Sequence, residues 1–229
     1  MKKKAHVTAV IVAAGSGTRT GLDIKKQFYP ICGIPVIVHT LRAFDSCCAV
    51  CDTVLVTAGE DIPETARLIK EYEIKKVCEI VAGGASRSES VLNGLRHAKG
   101  EFAAIHDGAR PCISPEDIES TIKNALRCGA SVLGKRAADT LKSADPDGVV
   151  TATVDRSAIW QAQTPQCFKT AEIINAYESI DQSAVTDDSS AAEAYGIKVI
   201  MTEAKKPNLK ITSPDDIFTA EAILEKILN

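Results

Sequence analysis

The sequence predicts an α/β fold built on a doubly wound, mostly parallel sheet. Short apolar runs rich in β-branched residues recur along the chain, and longer amphipathic segments separate them, which indicates alternating strands and helices. With 229 residues, of which 45% are hydrophobic and 25% charged, the chain is long enough to bury one large core. We therefore expect a single domain over residues 1–229.

The first part of the chain alternates between strand and helix patterns. Residues 7–14 form a short apolar run that is typical of a strand buried on both faces. Pro35 opens the first predicted helix, and Ser86 with Glu89 forms the capping-box pattern of another. Further predicted strands are 52–57, 77–81, 102–106 and 130–134, and the predicted helices are 35–44, 63–73, 86–97 and 114–128.

Residues 136–168 interrupt this alternation. Helix signals vanish there, and short β-prone segments flank the turn sequence from Asp145 to Gly148. We expect a protruding β-arm that has no partner in a doubly wound sheet, so its edges would be exposed unless a second chain covered them. A homodimer is the simplest arrangement that covers them.

After the arm, the sequence predicts two helices, two strands and a final helix. The helices are 170–179 and 189–195, and the strands are 198–201 and 209–212. Ser213, Pro214 and Asp216 give the final helix a cap, a first position and an acidic first turn. Its predicted buried stripe consists of Ile217, Ala220, Ile223, Leu224 and Ile227.

A loop of small residues follows the first predicted strand. Residues 15–18 read Gly-Ser-Gly-Thr, so backbone N–H groups can approach an anion closely, and Arg19 and Lys26 add two cations suited to phosphate oxygens. The spacing matches neither G-x-G-x-x-G nor G-x-x-x-x-G-K-[ST]. The loop predicts a triphosphate site, and the alternative is a solvated glycine turn with incidental charges.

Two further polar motifs follow predicted strands. Gly83 and Gly84 follow the third strand, and His106 and Asp107 end the fourth. In an open parallel sheet, ligands bind outside the carboxyl ends of the strands, so these motifs and the glycine loop would border one crevice. We interpret His106 as a core histidine rather than a catalyst, because a lone histidine on an apolar strand is more often a packed one.

The composition excludes several classes of protein. The net charge of −3 gives no general attraction to nucleic acid. The apolar run at 7–14 is short, and cleavage near its end as a secretory signal would remove the glycine loop. The eight cysteines are expected to be free thiols, because the C-x-x-C of Cys48 and Cys51 has no neighbouring ligands to complete a zinc site. We expect a cytoplasmic enzyme with no nucleic-acid or membrane partner.

Six sequence blocks carry a resemblance to one family. The first is AAGSGTR at 13–19, followed by KQF and GIPVIVHTLRAF. The others are GGASRSESVLNGL at 83–95, HDGARP at 106–111, AQTPQCF at 162–168, TDDSSAAE at 186–193 and NLKITSPDD at 208–216. In this order they resemble the 2-C-methyl-D-erythritol 4-phosphate cytidylyltransferases over nearly the whole chain. The resemblance implies a Rossmann-like nucleotidyltransferase fold.

The resemblance also implies a reaction and a set of site residues. CMP would pass from CTP to 2-C-methyl-D-erythritol 4-phosphate, giving pyrophosphate and 4-diphosphocytidyl-2-C-methyl-D-erythritol in the non-mevalonate isoprenoid pathway. Implied catalytic residues are Arg19, Lys26, Arg156 and Lys210. Implied nucleotide-binding residues are Ala13, Ala14, Gly15, Gly17, Gly84 and Ser90. Implied acceptor-binding residues are Asp107, Arg110, Thr140 and Thr186, and Asp107 would also help to place Mg²⁺. In the family the arm crosses to the partner of a homodimer.

The chain departs from the family pattern at three positions. Lys25 replaces a proline that usually precedes the Lys-Gln pair, which frees φ, so we expect a more mobile loop. Gly108 stands where many relatives have alanine, and Ala85 where some have aspartate.

Two alternative functions stay open. The first is a ribitol 5-phosphate cytidylyltransferase, but those enzymes have a sequence similar to A-G-G where this chain has Ala-Ala-Gly at 13–15. The second is a non-catalytic nucleotide-binding protein, which would not need the charged site residues that this chain retains, such as Arg19 and Lys26.

Overall fold

The computed structural model describes residues 5–15, 24–181 and 185–228. Its strands are β1 Val7–Val12, β2 Pro30–Ile31, β3 Ile34–Pro35, β4 Asp52–Thr57, β5 Val77–Ala82, β6 Phe102–Asp107, β7 Ala130–Arg136, β8 Leu141–Ala144, β9 Val150–Val154, β10 Trp160–Lys169 and β11 Ile200–Glu203. Its α-helices are α1 Val36–Ser46, α2 Ile62–Glu71, α3 Arg87–His97, α4 Pro115–Cys128, α5 Thr170–Ser179, α6 Asp188–Ala194 and α7 Asp215–Leu228. None of the helices in these ranges is long and apolar enough to cross a membrane.

The central sheet has seven strands in the order β11-β7-β10-β6-β1-β4-β5. β1 lies between β6 and β4 and is parallel to both, and β5 and β11 extend the sheet in parallel pairs. β10 alone is antiparallel to its neighbours, β6 and β7. The predicted fold class, a doubly wound and mostly parallel sheet, is therefore confirmed.

The pattern of β1 shows how both faces of the sheet are covered. Ala9 and Ile11 belong to an apolar cluster that includes residues of α1 and α4. Val10, which points to the opposite face, belongs to a second cluster with residues of α3 and α5. Because helices cover both faces, five of the six residues of the strand are apolar, and the sixth, Thr8, is buried as well.

The arm is only partly what the sequence predicts. β8 and β9 form a separate two-stranded antiparallel sheet around the turn at 145–148, as expected for a protruding hairpin. The expectation that all of 136–168 lacks a partner in the main sheet is wrong, because β10 pairs with β6 and β7. The end of β10 is apolar, and Cys167 and Phe168 are fully buried, so burial holds this segment in the sheet.

Three details near the C-terminus also differ from the sequence prediction. Residues 209–212 form no strand; Ile211 N–H instead donates a single hydrogen bond to the Ala109 carbonyl at 2.9 Å. The final helix begins at Asp215, and the Asp216 carboxylate accepts from Ser213 N–H at 2.7 Å. Ile227 is 55% exposed, so the buried stripe ends before it.

Candidate active site

A cavity of about 450 Å³ opens at the carboxyl ends of β1 and β6. These strands end at the same edge of the sheet because they are parallel, and the segments that follow them form the walls. Eight of the sequence-predicted site residues line the cavity, namely Ala13, Ala14, Gly15, Lys26, Gly84, Ser90, Asp107 and Lys210. Gln27 and Arg87, which the sequence analysis did not name as site residues, line it as well.

The turn between β5 and α3 packs closely against the end of β1. A Cβ atom at Gly83 would lie 2.4 Å from Ala14 Cβ and 2.9 Å from Ser90 Oγ, so only glycine fits here without a shift of its neighbours. Ser90 Oγ accepts from Gly84 N–H at 3.0 Å and donates to the Ser86 carbonyl at 2.8 Å. The Ser90 hydroxyl therefore fixes the shape of this wall.

The predicted capping box of α3 is half formed. Ser86 Oγ accepts from Glu89 N–H at 3.1 Å, as the pattern indicates. Glu89 Oε2 accepts from Ala85 N–H at 2.6 Å instead of from the Ser86 N–H. The carboxylate thereby fastens the turn that leads into the helix, next to the cavity.

Two lysines from distant parts of the chain meet at the cavity. Lys26 Nζ donates to the Ile211 carbonyl at 3.1 Å. The neighbouring residue, Lys210, places its ammonium 2.9 Å from Asp107 Oδ2. The single backbone hydrogen bond between Ile211 and Ala109 holds this segment beside β6, so Lys210 reaches the cavity without belonging to a strand.

Asp107 lies at the centre of a charged cluster. Its carboxylate is 2.9 Å from Lys210, 3.2 Å from Arg87 and 3.5 Å from Arg110. Burial alone would raise the pKa of Asp107, but the attraction of Arg87 and Lys210 outweighs it and holds the pKa well below its usual range. The carboxylate is therefore ionised at neutral pH.

Arg87 connects Asp107 to a second acid that the sequence analysis did not assign. Its two Nη atoms each lie 2.9 Å from an oxygen of the fully buried Asp188. The Tyr177 hydroxyl donates to the same carboxylate at 2.6 Å, and burial together with Asp188 raises the pKa of Tyr177 far above its usual value. Arg87 lies in the GGASRSES block and Asp188 in the TDDSS block, but nothing in either block indicates that they meet.

His106 agrees with its interpretation as a core histidine. It is fully buried, its ring lies 4.9 Å from that of Phe44, and its Nδ1 lies 3.0 Å from Thr164 Oγ1. Burial lowers the pKa of His106 to about 3, so the ring is neutral at physiological pH. Thr164 Oγ1 also accepts from the Asp107 N–H at 3.1 Å, which links the end of β6 to β10.

The remaining predicted site residues do not line the cavity. Thr140 and Arg156 lie exposed on the arm, where Arg156 donates to the Ala138 carbonyl. Thr186 is exposed, and its N–H donates to Ser190 Oγ at 3.1 Å. Arg110 is linked to the site through Asp107 and donates to the Asn208 carbonyl at 2.9 Å. The predictions for Gly17 and Arg19 concern residues that lie outside the described ranges.

The described cysteines are all free thiols, in agreement with the sequence prediction. Cys48 and Cys51 are exposed. Across residues 5–15, 24–181 and 185–228, no three histidine, cysteine or acidic side chains are grouped so that they could hold a metal ion by themselves. The described residues therefore supply no complete set of protein ligands for a metal ion at this cavity.

Comparisons with known proteins agree with this geometry. The family model described as 2-C-methyl-D-erythritol 4-phosphate cytidylyltransferase matches residues 7–226. Relatives with that name from Clostridium novyi (strain NT) and Syntrophotalea carbinolica (strain DSM 2380) are 42% and 40% identical, each over 96% of both chains. The crystal structure of 4-diphosphocytidyl-2C-methyl-D-erythritol synthase from Anaerococcus prevotii DSM 20548 has a TM-score of 0.85 and 28% identity, over 97% of both chains.

The family model covers the sheet, the cavity and the arm, and the relatives and the solved structure align along almost their full lengths. All of the residues that line the cavity except Val12 lie in four of the six sequence blocks that carry the resemblance. On this evidence, the chain belongs to the 2-C-methyl-D-erythritol 4-phosphate cytidylyltransferase family.

Proposed function

We propose that the cavity transfers CMP from CTP to 2-C-methyl-D-erythritol 4-phosphate, with pyrophosphate as the leaving group. This is the reaction that the names of the family and its relatives describe. The single observation that carries the assignment to this cavity is the meeting of Lys26 and Lys210 at the ends of β1 and β6. A strand end that leads into a glycine loop and faces two lysines suits two phosphorylated substrates, a triphosphate and a sugar phosphate.

The chemistry needs charge neutralisation more than it needs a base. The attacking phosphate is already anionic at neutral pH, so no side chain has to remove a proton from it. Two polyanions must be held together, and negative charge moves onto the departing pyrophosphate. We assign Lys26 and Arg19 to this charge in the transition state.

The cluster around Asp107 suits an anionic acceptor. Three cations, Arg87, Arg110 and Lys210, face the carboxylates of Asp107 and Asp188, so the group keeps one net positive charge. Asp107 holds Lys210 at the cavity wall while leaving the Lys210 side chain 39% exposed. We assign Lys210 to the phosphate of methylerythritol 4-phosphate, with Asp107, Arg110 and Thr186 on the same side.

The wall formed by the residues after β1 and by the turn before α3 suits the nucleoside. Ala13, Ala14, Gly15, Gly84 and Ser90 supply mainly backbone groups and small side chains there. Backbone donors and acceptors in fixed positions can select a base by its edge, and a tightly packed turn limits the size of the base that fits. We assign cytosine and ribose to this wall, with Gly17 continuing it into the glycine loop.

We propose that the functional unit is a homodimer. Arg156 and Thr140 are exposed on the arm and do not line the cavity of their own chain. In the dimer, Arg156 of the partner subunit and Thr140 of the partner subunit complete the acceptor side of this cavity. The exposed side chains of Val149 and Val150, at 62% and 57%, support contact between the arm and a second chain.

Mg²⁺ fits the site only together with the triphosphate. Asp107 is the one aspartate or glutamate side chain among the described cavity residues, and cations already surround its oxygens. One ionised carboxylate plus substrate phosphates is the ligand set that Mg²⁺ commonly takes. We propose that Asp107 would hold Mg²⁺ with the phosphates, where the ion would supply further positive charge.

We also propose a cytoplasmic location, because a reducing compartment suits eight free cysteines.

The test is a pyrophosphate-release assay that crosses CTP, ATP, UTP and GTP with methylerythritol 4-phosphate and ribitol 5-phosphate. We expect release with CTP and methylerythritol 4-phosphate and little with any other pair. Faster release with ribitol 5-phosphate would reassign the acceptor. If no pair gives release, the chain is a nucleotide-binding protein rather than an enzyme.

A further inference from the structure

Lys25, the residue before Lys26, makes an ion-pair contact that the proposed reaction does not use. Its Nζ lies 2.8 Å from both carboxylate oxygens of Asp61 and 2.8 Å from Glu60 Oε1. Both acids belong to the 3-10 turn Gly59–Asp61, which joins β4 to α2. Asp61 is only 8% exposed, so the Lys25 ammonium contacts a carboxylate that is held in the protein interior.

Asp61 also contacts the residue on the other side of Lys26. Gln27 Nε2 lies 3.5 Å from Asp61 Oδ2 and 3.4 Å from the Gly15 carbonyl. Gln27 is 3% exposed and lines the cavity. One buried carboxylate therefore contacts both neighbours of Lys26, and Gln27 carries the connection on to the end of β1.

The backbone gives Lys25 a direct influence on Lys26. Lys25 has φ −57° and ψ 131° and immediately precedes the 3-10 turn Lys26–Phe28. Its carbonyl accepts from the Phe28 N–H at 2.9 Å, which closes the turn over Lys26. A shift of Lys25 would move the start of this turn and with it the Lys26 side chain, whose Nζ reaches the Ile211 carbonyl at 3.1 Å.

Charge provides the second part of the argument. Asp61 contacts Gln27, which lines the cavity proposed to receive a polyanion, and Glu60 is its neighbour in the chain. Lys25 offsets part of the negative charge of these two acids. The hydrogen bonds that Lys25 donates to Asp61 and Glu60 raise the pKa of Lys25, so its ammonium persists throughout the physiological range. Without that ammonium, two adjacent carboxylates would repel the triphosphate.

We propose that Lys25 is a positioning residue, whose ion pair with Asp61 and Glu60 fixes Lys26 at the cavity and cancels negative charge beside the triphosphate. The inference rests on the proposed role of Lys26. The loop mobility expected from the loss of proline concerns residues 16–23 as well, which the structure does not describe. At position 25 itself, an ion pair holds the side chain.

The experiment compares Lys25→Met, Lys25→Arg, Asp61→Asn and the double variant Lys25→Met/Asp61→Asn in steady-state assays with CTP and methylerythritol 4-phosphate. Lys70→Met is the matched control, because Lys70 is exposed at the other end of α2. We expect Lys25→Met to lower kcat about tenfold, since displacement of a catalytic group by ~1 Å can cost up to about a hundredfold. Lys25→Arg should stay within about twofold of the wild type, because a guanidinium can hold both Asp61 oxygens.

The double variant distinguishes an ion pair from two independent residues. If Lys25 and Asp61 act together, the double variant loses no more activity than Lys25→Met alone, because their free-energy effects are not additive. Losses that multiply would overturn the proposal. So would a Lys25→Met enzyme as active as Lys70→Met.

Hydrogen exchange gives a readout that does not depend on turnover. The Phe28 and Tyr29 N–H groups close the turn at 2.9 and 3.2 Å, so their exchange should accelerate in Lys25→Met and not in Lys70→Met. Unchanged exchange would overturn the positioning role. A wild-type enzyme with no turnover would instead refute the proposed function, while the exchange data would still test the Lys25 contact.

Discussion

Arg87 and Asp188 form a two-pronged ion pair, with both nitrogen–oxygen distances at 2.9 Å. Asp188 is completely buried, and the same guanidinium reaches Asp107 at the cavity. Removal of Arg87 would leave the Asp188 charge buried without a cation, and removal of Asp188 would leave Arg87, among the described residues, only its 3.2 Å contact with Asp107. Breaking a buried ion pair in this way commonly costs several kcal/mol.

We expect Asp188→Ala to lower the free energy of unfolding by about 3 kcal/mol and to lower kcat as well, because Arg87 would no longer be held against Asp107. Urea unfolding and steady-state kinetics measure the two effects. Glu178→Ala is the control, since its ion pair with Arg96 at 2.9 Å is exposed and should contribute less than about 1 kcal/mol. Equal effects of the two substitutions would contradict the structural role of Asp188.

Lys26 should act on the transition state more than on bound CTP. We expect Lys26→Ala to lower kcat by at least about a hundredfold with a small change in KM, because interactions made only in the transition state appear in kcat. Initial-rate measurements over a range of CTP concentrations test this. A raised KM with unchanged kcat would assign Lys26 to ground-state binding instead.

His106 should make stability depend on pH. Its pKa falls to about 3 in the folded protein, so below about pH 6.5 the unfolded chain binds a proton that the folded chain does not. The free energy of unfolding should therefore decrease on acidification from pH 6.5 towards pH 3, by about 1.4 kcal/mol per pH unit for this group. Above about pH 7 the contribution is constant.

Urea unfolding between pH 4.5 and 8 measures this slope. His106→Asn is the comparison variant, because an amide can replace the contact that Nδ1 makes with Thr164 at 3.0 Å. Below pH 6, the free energy of unfolding of this variant should change less steeply with pH than that of the wild type, by the equivalent of about one bound proton. If the free energy of unfolding has the same pH dependence in both proteins, the prediction that His106 binds its proton only in the unfolded chain is wrong.

In the proposed homodimer, each active site is composite, because it combines Lys26 of one chain with Arg156 from the arm of the other. Lys26→Ala and Arg156→Ala should each be inactive, whereas mixing them through unfolding and reassembly should restore about a quarter of wild-type activity. Roughly half of the dimers would be mixed, and each would have one intact site of two. Without recovery in the mixture, both residues must act within the same chain.

Metal dependence is the last prediction. Activity should fail in EDTA and return with excess Mg²⁺, because the phosphate charges of both substrates would otherwise repel one another in the cavity. Asp107→Asn should raise the Mg²⁺ concentration that gives half-maximal activity, since it replaces the one carboxylate that the described residues bring to the cavity. Full activity in the chelator would exclude this role.

The sequence predicts the parallel strands well because each is a compact apolar run between polar segments, as β1 and β4 show. It does not predict the position of β10, whose first half is polar and whose partners lie far away in the chain. Likewise, no local pattern pairs Arg87 with Asp188, since 101 residues separate them. Resemblance to a family points to Lys210, but the alternating apolar and polar residues at 209–212 predict a strand. A single backbone hydrogen bond holds this segment as a loop instead, and the sequence does not reveal that difference.

The place of β10 in the sheet also sets the order in which the protein can be built. β10 lies between β6 and β7, two strands that leave the ribosome before it. Until residues 160–169 emerge, the facing edges of both strands stay unpaired, and Thr164 is not yet present to accept the Asp107 N–H. A nascent chain that stalls before this point exposes two strand edges prone to aggregation. Activity should therefore appear only late in synthesis, when the inserted strand closes the sheet.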